Sequence, residues 1–371
     1  MKVLIVGPYE PDRQYSIPAF VSTLQSGLKE LGVEVSTCTP PETKIGKAIR
    51  PIVGKRTGFI DKFFLFPSRL RKLAKQFDCV HIAEHGYAPY VKHLKNKPHV
   101  VTCHDLIVAK AARGELTDWP LSNLAKKYQE SILVGLSNAD HVVAISEMTK
   151  GDVLRLSKRS AQDTSTVFVG FCRQVSRMDE LTAWKLLSDF PLPTDRPWLM
   201  HIGGDQPNKN KVGVARIFGE LQKRDPALEL DLVFAGSSPD SALQQEVSSL
   251  PNPSAVHFVT KPSDEQVVAL YTLAKALLFP SLYEGFGLPI IEAQACGTPV
   301  ITSNRAPMSE VGGSAAIYVD PENPSSAAQI ILNELPTIHD RVSAGFENIK
   351  RFESKELCKR YVDIYSRLVN R

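Results

Sequence analysis

The chain has 371 residues, 43% of them hydrophobic and 23% charged, with a formal net charge of +4. That length is long for a single core, so two domains are expected, and the composition is that of a soluble globular protein. No run of 18 or more apolar residues occurs and a strand starts at Val3, so neither a transmembrane helix nor a signal peptide is expected and the cytoplasm is the expected location.

Lys2–Gly7 (KVLIVG) reads as a fully buried strand, followed by a loop holding Pro8, Pro11, Arg13 and Pro18. Ala19–Leu31 has a helical pattern closed by Gly32, and Val33–Cys38 reads as the next strand, giving a βαβ opening. Between Lys44 and Lys75, ten Lys and Arg (Lys44, Lys47, Arg50, Lys55, Arg56, Lys62, Arg69, Arg71, Lys72, Lys75) face the single acid Asp61, interleaved with Phe59, Ile60, Phe63, Phe64, Leu65 and Phe66. Two readings stay open: peripheral contact with an anionic membrane through 44–75, or a helix whose aromatic residues enter the core and whose cations are solvated. No nucleic-acid motif accompanies the charge, and nucleic acid is not an expected partner. The basic excess belongs to the first half, with 27 Lys and Arg against 19 Asp and Glu through Phe190, and 17 against 21 beyond it.

Cys79–Ala83, His99–Cys103, His141–Ile145 and Thr166–Phe171 are further apolar stretches separated by helical or loop segments. Strands alternating with helices predict a parallel, doubly wound sheet, in which ligands bind beyond the carboxyl ends of the strands. His85, Gly86 and Tyr87 follow one such end, and His104 and Asp105 another. A histidine at a strand end is also a common structural hydrogen-bonding residue. The six cysteines are scattered with no Cys-x-x-Cys pair, which fits reduced, buried thiols and speaks against a zinc site.

Asp189–Pro197 holds three prolines and reads as a linker, giving domains 1–190 and 191–353 and a terminal amphipathic helix at 354–371. The alternation then restarts with Trp198–Ile202, Leu230–Ala235, Val256–Val259, Ala276–Phe279, Pro299–Thr302 and Ala315–Val319. After the first of these strands, Gly203 and Gly204 permit close approach to a ligand, and Lys209 can bring an ammonium to it. After Ala276–Phe279 comes Tyr283-Glu-Gly-Phe-Gly-Leu-Pro289, a glycine-rich turn running into a helix of about two turns that opens at Pro289, its first helical position, with Gly297 just past its end. The start of such a helix stabilises an anion. Glu284 and Glu292 frame the turn. A carboxylate there repels a phosphate but suits sugar hydroxyls; both residues equally suit the positive end of a helix dipole.

The run Glu284-Gly-Phe-Gly-Leu-Pro-Ile-Ile-Glu292, continued by Ala293, Gly297-Thr-Pro-Val300, Ser303, Asn304, Glu310 and Gly312, resembles the family-4 (group 1) retaining glycosyltransferases. Val101-Thr-Cys-His-Asp-Leu106, Ala139–Glu147 and Lys209-Asn210 are similar to further segments of that family. The resemblance implies an α/β GT-B fold: two doubly wound Rossmann-like domains facing across a cleft, with the last helix returning to the first domain. It implies that Glu292 binds the ribose of a nucleotide-sugar, and that Glu284 with the amides of Gly285, Phe286, Gly287 and Leu288 holds the sugar and diphosphate. It further implies that Lys209 meets the diphosphate, that His104 lies against the donor sugar, and that the backbone from Val259 to Lys261 faces the base.

Two departures stand out. The first loop has one glycine where the family often has a pair, and the positions around Lys209 that often hold Arg are Gly204, Asp205 and Asn208, leaving Lys211 or Arg305 as substitutes. The expected activity is metal-independent, retaining transfer of a hexosyl group, mannosyl or glucosyl, from a nucleoside-diphosphate sugar to a saccharide or lipid-linked glycan. No further cofactor is expected. The rival reading is a non-catalytic nucleotide-sugar-binding scaffold of the same fold.

Overall fold

The computed structural model describes residues 1–12, 16–43, 47, 57–116, 119–171 and 173–371. The chain divides into two compact units, Met1–Cys172 with Phe352–Arg371, and Arg173–Arg351.

The first unit is built on a six-stranded parallel sheet of β1 (Lys2–Val6), β2 (Glu34–Cys38), β3 (Cys79–Ile82), β4 (His99–Cys103), β5 (His141–Ala144) and β6 (Thr164–Thr166), in the order β2-β1-β3-β4-β5-β6. Strands β3, β4 and β5 are buried along their whole length, because helices cover both faces of a parallel sheet. Leu4, Val6, Val80, Ile82 and Val101 meet Phe66, Leu70 and Leu133 from the helices in one core. The last helix, Ser354–Val369, belongs to this unit and is tied to the sheet by a buried chain of hydrogen bonds. Tyr365 Oη meets His81 Nδ1 at 2.7 Å, His81 Nε2 meets Thr102 Oγ1 at 2.7 Å, and Thr102 meets Tyr361 Oη at 2.7 Å. Burial pushes the His81 pKa down to about 3, so the ring is neutral and can donate at one nitrogen and accept at the other.

The second unit repeats the plan with β7 (Trp198–Gly203), β8 (Asp231–Gly236), β9 (Val256–Thr260), β10 (Ala276–Phe279), β11 (Val300–Ser303) and β12 (Ala316–Val319), all parallel, in the order β12-β11-β10-β7-β8-β9. The chain runs outward from β7 to β9 and then returns to the other side of β7, so β7 and β10 are neighbours whose crossovers lead to opposite halves of the sheet. That is the switch point at which doubly wound sheets open a crevice for a ligand.

The expected boundary at 190/191 is corrected. Helix Glu180–Leu186 packs within the second unit, where Gln266 donates to the Leu186 carbonyl (3.2 Å), the Met178 amide donates to Thr272 Oγ1 (3.3 Å) and Trp184 stands edge-on to Trp198. The proline-rich stretch at 189–197 is therefore a loop inside that unit. A helix with an apolar face has to bury it, and the nearest apolar groove decides which core it joins.

Among the described residues the thiols of Cys79, Cys103, Cys296 and Cys358 are buried and that of Cys38 is half-buried, all without a disulfide. Burial pushes Cys79 and Cys296 up to about 12, far from a reactive thiolate. Cys172 and Arg13 lie outside the described residues, as do positions 44–46 and 48–56 of the basic stretch.

Candidate functional site

The loops after β7 and β10 are sewn together. Leu282 N donates to the Asn208 carbonyl (2.8 Å), and the buried Asn208 amide donates to the Tyr283 carbonyl (2.7 Å). Asn210 sits in the left-handed region, with φ 56°, which asparagine tolerates better than most residues, and its side chain donates to the carbonyls of Pro280 (3.0 Å) and Pro321 (3.1 Å). Asn208 thus occupies the place of the missing arginine as a clamp between the two loops.

This clamp presents Lys209. Its stem crosses Gly203 so closely that a Cβ at Gly203 would stand 3.2 Å from Lys209 Cγ, which is what the glycine permits. The ammonium lies over the Phe279 ring, 5.4 Å from its centroid, and donates to both oxygens of Glu284 at 2.8 and 3.0 Å. Lys209 and Glu284, 75 residues apart in sequence, form one ion pair at the switch point. Lys211 is held by Asp205 (3.0 Å), and Arg305 by Asp320 (3.3 Å) and Glu322. Gly204 precedes Asp205 on the exposed part of the same loop.

Behind Glu284 the chain turns through Gly285, the buried Phe286 and Gly287 into helix Leu288–Ala295. Gly287 has φ 103°, where a side chain is strained, and this fixes the angle at which the helix leaves the loop. The far end closes with Gly297 N donating to Gln294 O (3.0 Å) and Thr298 N to Ala293 O (2.9 Å), with Gly297 left-handed at φ 71°. This Schellman motif stops the helix where the sequence places its glycine.

Glu292 points from this helix into the protein and is 2% exposed. Its Oε1 accepts from Arg173 Nε (3.0 Å) and its Oε2 from Tyr271 Oη (3.2 Å), while Arg173 also donates to Asp264 (2.7 Å). Burial raises the Glu292 pKa, and the Arg173 guanidinium opposes the rise. A buried carboxylate with two donors is a strong, oriented acceptor with lone pairs still to offer. Sequence reasoning missed Arg173 and Tyr271: 119 and 21 residues separate them from Glu292, and neither lies in a motif.

The ends of β7, β8 and β9 form a ledge beside this site. Gly236 has φ 127°, and a Cβ there would come within 2.3 Å of the Gly203 carbonyl, so only glycine lets these two strand ends meet. Lys261 N donates to the Gly236 carbonyl (2.7 Å), with Lys261 itself at φ 51°. Val259 turns its side chain into the core, leaving the backbone of this segment as what a ligand can meet.

His104 belongs to the first unit. Its Nε2 donates to the Ala83 carbonyl (2.9 Å), its ring meets Phe20 edge-on at 5.2 Å, and burial lowers its pKa, so it is a neutral imidazole protonated at Nε2. Nδ1 is accordingly the acceptor nitrogen. Among the described residues no group of three or more His, Cys, Asp or Glu is placed to hold a metal ion, and no helix is long and apolar enough to cross a membrane.

Two six-stranded Rossmann-like units, one carrying this site at its switch point, define the GT-B class. Solved structures share the fold: sucrose-phosphate synthase from Thermosynechococcus elongatus (TM-score 0.70, 18% identity, 99% of both chains) and Anabaena HepE in complex with UDP and glucose (TM-score 0.72, 15% identity, 99% of this chain and all of that one). Residues 183–335 match the model for glycosyl transferases group 1 and residues 19–167 that for glycosyltransferase family 4. The chain belongs to the group 1, family 4 glycosyltransferases.

Its relatives include the Escherichia coli O-antigen chain mannosyltransferase B, 25% identical over 289 residues that cover 76% of this chain and 74% of the relative. The O-antigen chain mannosyltransferase RfbU of Salmonella typhimurium is 26% identical over 63% of this chain, and the D-inositol 3-phosphate glycosyltransferase of Corynebacterium diphtheriae is 26% identical over 74%. These last two alignments take in 62% and 66% of the relatives' own lengths, just under two thirds.

Proposed function

We propose that the protein transfers a hexosyl group, mannosyl or glucosyl, from a nucleoside-diphosphate sugar to a hydroxyl of a saccharide or lipid-linked glycan, with retention and without a metal. The observation that carries this reading is the Lys209–Glu284 pair at the switch point, one turn from a helix N-terminus. A diphosphate arriving at that helix start competes with Glu284 for the ammonium. The carboxylate it releases becomes an acceptor for sugar hydroxyls, so one exchange of partners prepares both groups.

In this reading Glu292, held by Arg173 and Tyr271, accepts from the ribose hydroxyls, and the backbone between Val259 and Lys261 meets the base. The amides of Gly285, Phe286, Gly287 and Leu288 and the Lys209 ammonium stabilise the leaving diphosphate, an electrostatic device fixed before the reaction begins. Gly203 and Gly204 leave room for it. His104 lies against the donor sugar. The acceptor hydroxyl attacks the anomeric carbon on the face the diphosphate leaves, the carbon–oxygen bond to phosphate breaks, and the departing phosphate takes the proton. Lys209 and the helix supply the charge a metal otherwise supplies.

The relatives named as mannosyltransferases and the fold neighbours bound to UDP support this substrate class. One observation favours the rival scaffold: Asn208 serves as a loop clamp where a second cation is expected, and Lys211 and Arg305 are each held by acids. A thermal-shift series with UDP, GDP and ADP and their sugars, with and without EDTA, tests the proposal. A ligand at 100 times its dissociation constant stabilises by about 2.7 kcal/mol. One base standing out, unaffected by EDTA and followed by slow donor hydrolysis, is the expected result. Binding without hydrolysis leaves the scaffold, and no shift with any of them removes the donor site.

A further inference from the structure

Glu292 is tied to both ends of one neighbouring helix, Asp264–Leu273. That helix starts at a fixed place, because its cap is reciprocal: Ser263 Oγ accepts from Gln266 N (3.2 Å) and Gln266 Oε1 accepts from Ser263 N (2.9 Å). Asp264, in the first turn, accepts from Arg173 Nη1 (2.7 Å). Tyr271, seven residues on and so two turns further along the same face, donates to Glu292 Oε2 (3.2 Å). Arg173 closes the circuit by donating through Nε to Glu292 Oε1 (3.0 Å). Its guanidinium is a rigid plane, so the two bonds hold the two carboxylates at a set separation. Asp264 is 54% exposed and its ion pair adds little to stability, which leaves placement as what the bond supplies.

The segment leading into this helix is short and held at its other end. Lys261 N is bonded to the Gly236 carbonyl (2.7 Å), Pro262 restricts the backbone next to it, and Ser263 is already the cap. We propose that Arg173 is the positioning residue of the nucleoside site: its fork locks Glu292 to the helix start that sets the backbone of Val259–Lys261, so that ribose and base are read at one fixed spacing. The ligand so selected is a ribonucleoside diphosphate of one base. This inference rests on the donor reading above, in which Glu292 accepts from the ribose and Val259–Lys261 meets the base. It adds that Asp264, which touches neither, governs the choice of base through Arg173.

The test is calorimetric titration of the full chain with UDP, GDP, ADP and the 2′-deoxy form of whichever binds best, comparing the parent with Asp264→Ala, Asp264→Asn and Arg173→Gln. Asp264→Ala should lower the preference for the best base about threefold or more, the size of coupling found between groups in contact, and keep the ribose preference within about twofold. Asp264→Asn, which still offers Arg173 an oxygen to donate to, should restore the base preference. Arg173→Gln should lower both preferences, and adding Asp264→Ala to it should lower the base preference no further. A merely structural role would instead weaken every ligand by one factor. That result overturns the inference, as does a base preference unchanged in Asp264→Ala or losses that add independently in the double variant. Asp264→Ala, at an exposed position, is expected to fold, and its melting temperature checks this. A parent that binds none of the nucleotides removes the donor reading and the inference together, whereas a parent that prefers one base with Asp264→Ala unchanged overturns the inference alone.

Discussion

At Glu292 a single carboxylate is asked to stay ionised while 2% exposed, and Arg173 is what opposes the cost of burial. Protonation removes an acceptor, so nucleoside-diphosphate binding should fall as pH drops through the Glu292 pKa, which burial places above the ordinary carboxylate value. Arg173→Ala removes the opposing charge, the pKa rises further, and the acid limb of binding should move to higher pH; a titration of affinity against pH checks this. The same variant should lose stability, by less than the roughly 3–5 kcal/mol of a fully buried pair, because 16% of the Arg173 side chain reaches solvent. Glu292→Gln should weaken binding of a ribonucleotide more than of its 2′-deoxy analogue, since charge-assisted hydrogen bonds of about 1.5–3 kcal/mol are what it forfeits. Lys209→Ala acts differently. It should leave nucleoside recognition nearly intact and lower turnover on the order of 100-fold or more, the usual cost of removing one donor to a developing anion. Unchanged turnover would show that the leaving group is stabilised elsewhere.

Among the elements, the strand ends matter more than the strand interiors. β7 and β8 converge until Gly236 meets the Gly203 carbonyl, with φ 127° at Gly236. Gly236→Ala adds both a backbone clash and a strained conformation, so a loss of at least about 1–3 kcal/mol in denaturant unfolding is expected, together with weaker nucleotide binding because the ledge beside Gly203 opens. The terminal helix is held with equal economy. Tyr365→Phe leaves His81 Nδ1 without its partner in a site closed to water, and should cost about 1–3 kcal/mol in the first unit without changing donor binding.

On the scale of the whole molecule, two sheets with separate cores mean two stabilities rather than one. Trp184 and Trp198 both report on the second unit, and Trp119 is the remaining tryptophan of the chain. In a Trp119→Phe variant, fluorescence-detected melting follows the second unit alone, and a saturating nucleoside diphosphate should raise that transition. A transition that ignores the ligand would place the donor site elsewhere.

The alternation of apolar strands and helical segments is written locally, in side-chain periodicity and in glycine and proline, and from it the sequence by itself determined two doubly wound parallel sheets. It determined the helix after Gly287 as well, to within the one residue by which the helix at 288–295 starts before Pro289, because a proline at the start and a glycine past the end act over a few residues. The motif around Glu284 likewise stood in plain view. Tertiary structure alone decided the rest. It placed helix Glu180–Leu186 in the second unit, since the sequence shows an apolar face but not the groove that receives it. It paired Lys209 with Glu284 and Glu292 with Arg173 and Tyr271, and it made Asn208 a clamp rather than a poor substitute for arginine. It also sorted the aromatic residues between 59 and 66 into core and surface. Each of these depends on which distant segments the sheet order brings side by side, and charge, size and hydrogen-bonding capacity along the chain do not encode that order locally.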